Sequence, residues 1–204
     1  MITIVDYGLG NLGSIINMLK KIGAQAKLSA SKLDIEKADK LILPGVGAFD
    51  NGMKQLRERD LIDVLNWKAL EEKVPTLGIC LGMQLLGNSS EEGSEKGLGW
   101  IDAETVKFQF NSENAHLKVP HMGWNLVKEA KESVLNKDLY NEPRFYFVHS
   151  YHFVCRNATD ELLRSKYGIV FTSAIEKDNI MGVQFHPEKS HKFGMQLFRN
   201  FNAI

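Results

Sequence analysis

Two cysteines, Cys80 and Cys155, are all that this 204-residue chain carries. That is too few for a disulfide framework, so a reducing compartment and a cytoplasmic location are expected. An excess of charge is also absent, with 25 basic residues balancing 25 acidic ones. No global field then draws the chain to nucleic acid or to an anionic membrane, and partners must be chosen by local surface. No apolar run is long enough to span a bilayer, and the basic head and long apolar segment of a signal peptide are missing at the N-terminus. Repeats, low-complexity tracts and linkers are absent too. What is present, a 44% hydrophobic composition, suits one domain over residues 1–204 with a sizeable core.

Ile2-Thr3-Ile4-Val5 is a β-branched stretch that reads as a strand, and Leu12, Ile15, Ile16, Leu19 and Ile22 follow at helical spacing. Gln25 to Ser29 reads as a short strand, Leu33 to Ala38 as part of a short helix, and Leu41-Ile42-Leu43 as a buried strand ending at Pro44. Val64, Leu65 and Leu70 belong to a helix feeding another buried strand, Val74 to Ile79. This alternation predicts an α/β fold: an open, mostly parallel, flavodoxin-like sheet flanked by helices, with ligands at the carboxyl ends of its strands. Beyond a polar loop from Glu91 to Trp100, strand-like pieces near Val106, Trp124, Phe145 to Phe153 and Ile169 to Ile175 predict additional mixed or antiparallel strands in the C-terminal half. A terminal helix is expected from about His191 to Phe201.

The chemistry centres on Leu77-Gly78-Ile79-Cys80-Leu81-Gly82-Met83-Gln84. Gly78-x-Cys80-x-Gly82 has the form of a nucleophile elbow, a sharp strand-to-helix turn that lifts a reactive side chain above the sheet. Unpaired N–H groups at a helix start favour a thiolate there. A buried cysteine is as readily a small core hydrophobe, so the reading needs a partner that takes the proton. Gly182-Val183-Gln184-Phe185-His186-Pro187-Glu188 supplies one: a strand is expected to run to His186 and stop at Pro187, bringing His186 and Glu188 out together. Cys80, His186 and Glu188 then fill the roles of nucleophile, base and orienter. The Leu81 amide, following the nucleophile, is one candidate oxyanion donor, and Pro44-Gly45-Val46-Gly47 offers a second, as glycine lets an amide turn toward the site. Gln84, about one helical turn past Cys80, faces the same pocket. His121, His149 and His186 lack local metal-ligand spacing, so no metal is expected.

Gly8-Leu9-Gly10-Asn11-Leu12-Gly13 matches the G-x-G-x-x-G dinucleotide fingerprint, which taken alone predicts an oxidoreductase. The ribose-binding acid expected about 20 residues on is missing, because the second strand ends near Ser29 and Asp34 lies beyond it in a helix.

The Cys80 and His186 segments resemble those of the triad (class I) glutamine amidotransferases. Within that family, Asp6 to Leu12, Pro44 to Phe49, Val119 to Asn125 and Tyr146 to Tyr151 are similar to the glutaminase subunits of imidazole glycerol phosphate synthases, and the likeness spans nearly the whole chain. The resemblance implies hydrolysis of L-glutamine to glutamate and ammonia without a cofactor, and Gln84, Gly45, His149 and Ser150 as substrate-binding positions, with Gly47 and Leu81 at the oxyanion. It also implies a heterodimer with an ammonia-accepting (β/α)8 cyclase subunit of histidine biosynthesis, met through Tyr7, Asn11, His121, Met122, Trp124, Tyr146 and Lys189. Gly97 to Ile101 and Ser190 to Met195 resemble instead paralogues that feed ammonia to a sugar amidotransferase in surface-polysaccharide synthesis, Trp100 standing where a smaller aliphatic residue is expected. Between those two acceptors the sequence leaves the choice open.

Overall fold

A computed structural model describes residues 1–204. Its first part alternates strands and helices: β1 (Ile2–Val5), α1 (Leu12–Lys21), β2 (Ala26–Ser29), α2 (Lys32–Glu36), β3 (Lys40–Gly45), α3 (Phe49–Glu58), α4 (Ile62–Asn66), β4 (Thr76–Cys80) and α5 (Leu81–Leu85). β1, β3 and β4 are buried on both faces apart from the first residue of β3, as parallel strands covered by helices must be. α1 lays Ile15 and Leu19 on the sheet and ends in a Schellman motif, in which Gly23 at φ +78° lets Ala24 N–H reach Leu19 O at 3.0 Å. α3 was not foreseen. Its buried Phe49, Met53 and Leu56 are diluted by polar residues and Gly52, which hides their helical spacing.

The second part adds β5 (Ser89–Ser90), β6 (Ala103–Lys107), β7 (His121–Leu126), β8 (Lys128–Glu129), β9 (Arg144–His149), β10 (Tyr151–Cys155), β11 (Glu161–Tyr167), β12 (Ile169–Lys177), β13 (Ile180–Val183) and α6 (His191–Ala203). The main sheet runs β2-β1-β3-β4-β13-β12-β10-β6-β5, with β11 on β12 and β8 on β11. From β2 to β13 every pairing is parallel, and from β13 to β6 every pairing is antiparallel. Two expectations need correction. β7 and β9 do not complete this sheet but form a separate two-stranded one, and β13 leaves the sheet at Val183, three residues before His186.

Two apolar cores fill the two faces. One joins Ile2, Ile4, Leu77 and Ile79 to α1 and α6 through Leu19, Leu197 and Phe198. The other joins Val5, Leu41 and Leu43 to the remaining helices through Ile35, Leu56, Leu65 and Leu85. Trp100 lies in the second core, donating its indole N–H to Asn66 Oδ1 at 2.7 Å. No helix is long and apolar enough to cross a membrane.

Candidate active site

Cys80 ends β4 at φ 54° and ψ −110°, a conformation costly for a residue with a Cβ and characteristic of functional turns. Close packing imposes it. A Cβ on Gly82 would lie 1.8 Å from Leu43 O, and one on Gly78 would lie 2.8 Å from the Gly82 carbonyl. The two glycines thus let the turn fold tightly onto β3 and present the sulfur at the carboxyl end of the sheet.

His186 arrives from β13, the strand next to β4. The segment after β13 is clipped to β9: His186 N–H donates to Tyr146 O at 2.9 Å, Tyr146 N–H donates to Ser190 Oγ at 3.0 Å, and Ser190 Oγ–H donates to His186 O at 2.6 Å. Pro187 opens a short 3₁₀ turn that swings Glu188 back under the ring. His186 Nδ1 lies 2.7 Å from Glu188 Oε1, which also accepts from the Asn11 amide at 2.9 Å. The other ring nitrogen, Nε2, is buried without a partner of good geometry, and the Cys80 sulfur stands beside it.

Burial by itself lowers the His186 pKa. The nearby Cys80 sulfur and the hydrogen-bonded Glu188 carboxylate outweigh it, and the value rises to about 10. For Glu188 burial acts upward, but the His186 and Asn11 hydrogen bonds leave its pKa lowered. The pair is therefore poised as imidazolium and carboxylate. His121 and His149 behave oppositely: burial takes His121 down to about 4 and His149 down to about 3.

The sulfur opens into a cleft of about 470 Å³ lined by Val46, Gly47, Cys80, Leu81, Gln84, Glu92, His149, Ser150, Tyr151 and His186, among others. Gly47, at φ +109°, and Leu81 both reach this wall; Leu81 opens α5, where backbone N–H groups lack helical partners. Gln84 Nε2 donates to Gln184 Oε1 at 3.0 Å and to Tyr151 O at 3.3 Å. No group of three or more His, Cys, Asp or Glu side chains is placed to hold a metal ion.

Several placements differ from the sequence reading. Gly45 sits below the cleft rather than in its lining, where a Cβ would meet Tyr7 Oη at 2.7 Å and Gly82 N at 2.8 Å. Tyr7, expected at a docking face, is fully buried and donates its hydroxyl to Pro44 O at 2.6 Å. His121, assigned to the same face, is buried as well. Asn11 turns its amide to Glu188, so the glycine-rich loop that carries it braces the His186–Glu188 pair. The ribose-acid position fails too, since Asp34 is held by Lys27 and Ser29 at 2.6 Å each. Met122 and Trp124 are exposed at 62% and 45%. Trp124 meets the Tyr146 ring edge-on and stacks on His191, and Lys189 Nζ sits over Tyr146, so these residues form one continuous patch beside the His186 segment.

Two residues, one behind the cleft wall and one in it, escaped the sequence reading. Gln184 is fully buried and points its amide at Cys80 Sγ from 3.8 Å; its sign in the sequence is a polar residue interrupting Gly182-Val183 and Phe185. Glu92 accepts from Phe49 N–H at 2.8 Å and is the one acidic side chain in the cleft lining. Nothing in its polar loop distinguishes it from its neighbours.

The glutamine amidotransferase class-I family matches residues 3–203. Over 98% of each chain the sequence is 54% identical to the imidazole glycerol phosphate synthase subunit HisH 2 of Pseudomonas aeruginosa and 57% identical to the relative of the same name in Methanococcus maripaludis. It is 45% identical, over 100% of both chains, to the subunit HisH of Leptospira borgpetersenii. Among solved structures, a glutamine amidotransferase superposes with a TM-score of 0.72 at 21% identity, covering 100% of this chain and 99% of that one. That likeness shows the fold alone.

Proposed function

The chain belongs to the class I glutamine amidotransferases, and from that membership we propose that it is the glutaminase subunit of an imidazole glycerol phosphate synthase. It hydrolyses L-glutamine and passes the ammonia to a (β/α)8 cyclase subunit in histidine biosynthesis. Full-length relatives of that name at 45–57% identity support the assignment. The observation that carries the chemistry is the line from Cys80 and His186 on the cleft wall to Glu188, buried against the far side of the ring.

In this mechanism the Cys80 sulfur, its proton held by His186, attacks the side-chain carboxamide carbon of glutamine. The carbonyl oxygen takes the negative charge, facing the amides of Leu81 and Gly47. Imidazolium returns its proton to the departing nitrogen, ammonia leaves, and a thioester remains. Water, deprotonated by His186, then attacks that carbon; the C–S bond breaks and glutamate is released with the thiol restored. Glu188 holds the ring by Nδ1 and stabilises the imidazolium. Glu92 offers a carboxylate to the substrate's ammonium group, and the Gln84, His149 and Ser150 positions line the space beside it.

Ammonia diffuses away and loses its nucleophilicity when protonated, so docking on the consumer follows from the chemistry. The exposed patch of Met122, Trp124, Tyr146 and Lys189 has the aromatic anchors of an interface centre. In the complex, Cys80→Ala is expected to abolish glutamine-dependent synthesis while leaving synthesis from added ammonium salts. Retained glutamine use by Cys80→Ala overturns the chemistry. Failure of the wild-type gene to complement a histidine auxotroph lacking this subunit overturns the pathway and leaves a sugar amidotransferase as the acceptor.

A further inference from the structure

An unbroken run of hydrogen bonds joins the β7 strand to the Cys80 sulfur. At its outer end the Asn125 amide donates to Lys166 O at 3.0 Å and lies 3.2 Å from His121 Nε2. His121 Nδ1 is 2.9 Å from His149 Nε2, and His149 Nδ1 is 2.7 Å from Tyr151 O. That carbonyl also accepts from Gln84, which bonds to Gln184, which in turn points at Cys80.

Proton positions in the histidine part follow from donor and acceptor chemistry. A carbonyl accepts and never donates, so His149 carries its proton on Nδ1. With the ring neutral, His149 Nε2 is a lone pair, and His121 must present Nδ1–H to it. His121 Nε2 is then an acceptor, to which the Asn125 amide N–H donates; that amide is oriented by Leu126 N–H donating to Asn125 Oδ1 at 2.8 Å. One arrangement of protons satisfies the whole run. Reversing the central bond would set two N–H groups or two lone pairs against each other in a buried site, which costs far more than the bond contributes.

The run occupies one face of β7, and the exposed patch occupies the other. His121 pairs with His149 and Trp124 pairs with Tyr146 across the two-stranded sheet, so His121 and Asn125 point to the cleft side while Met122 and Trp124 point outward. We propose that His121 is a positioning residue that ties β7, and a protein docked on its exposed face, to the glutamine cleft through the His149 imidazole. This rests on the partner-coupled glutaminase reading above. Displacement of β7 carries the Nδ1–H donor with it, and His149, Ser150 and Tyr151 follow because no second proton arrangement is open to them. His121 itself touches no substrate.

The test uses the complex with the cyclase subunit and compares the partner's enhancement of glutaminase kcat/KM across variants. His121→Phe keeps a ring against Tyr167, which now stacks on His121 at 4.1 Å, but has no donor for His149. Its enhancement is expected to shrink at least about fivefold, the lower end of ordinary coupling between sites, mostly through KM. Partner affinity without glutamine is expected to stay near wild type. His121→Asn, whose amide nitrogen reaches the Nδ1 position, should restore most of the enhancement. Asn125→Ala, at a partly exposed end of the run, gives the same test in weaker form if His121→Phe does not fold. Full enhancement in His121→Phe, or in Asn125→Ala where that variant stands in, overturns this inference and leaves the glutaminase reading intact. No rescue by His121→Asn also overturns it. Absence of any enhancement in the wild type overturns the partner-coupled reading and this inference with it.

Discussion

His186 and His149 line one cleft and are both buried, yet they favour opposite protonation states. At His149 burial prevails over the upward pull of the Tyr151 carbonyl, and the pKa falls to about 3. His186 faces a carboxylate and a sulfur, and its pKa rises to about 10. Desolvation pushes each ring toward the neutral form, and only at His186 do charged neighbours reverse the sign. One ring is thereby suited to hold and return a proton, and the other to hold a wall in place through a single tautomer.

The sharpest way to break this contrast is Glu188→Gln. It keeps the shape but removes the charge that separates the two rings, and kcat for glutamine hydrolysis should fall by about a thousandfold or more, as when a triad's acidic member is neutralised. NMR titration of His186 should show its pKa falling. Retention of near-normal turnover would mean that the carboxylate does not set the ring's role.

Next in size is the pH dependence of folding. His121 and His149 have lowered values, so the stability tied to their neutral forms is present above the ordinary imidazole pKa of about 6.5 and is lost as pH falls toward about 4 and about 3. Glu188, also lowered, adds to the loss on acidification. His186 is raised, so its contribution is complete below about 6.5 and is lost as pH rises through about 10. Urea unfolding across pH should therefore show both limbs, and Glu188→Gln should flatten the alkaline one. A smaller effect is expected from Asn11→Ala, which leaves the ion pair but removes one charge-assisted hydrogen bond to Glu188. Roughly a tenfold loss of kcat follows from the weight of one such bond, read in steady-state assays of the complex.

What was legible in the sequence is local. The strand, the turn at Cys80 and the short reach from His186 to Glu188 across Pro187 are set by glycine spacing, a proline stop and apolar runs, all within a few residues. What was illegible depends on which way a side chain faces. On β7 the usual pattern is inverted, for His121 and Asn125 point inward while Met122 and Trp124 point outward, so the polar members read as surface. Tyr7 follows a strand in a glycine-rich loop and reads as exposed; only the close approach of that loop to Pro44 buries it. Glu92 enters the cleft because Phe49 N–H, distant in sequence, draws its carboxylate in, and no local pattern records that.

β13 is inserted between β4 and β12, and the Gln184 and Cys80 side chains that meet across that seam are 104 residues apart. During translation, the thiol therefore leaves the ribosome long before the His186 imidazole. On the proposed mechanism, a chain synthesised only through β4 releases no ammonia, and hydrolysis waits for the strand that closes the middle of the sheet.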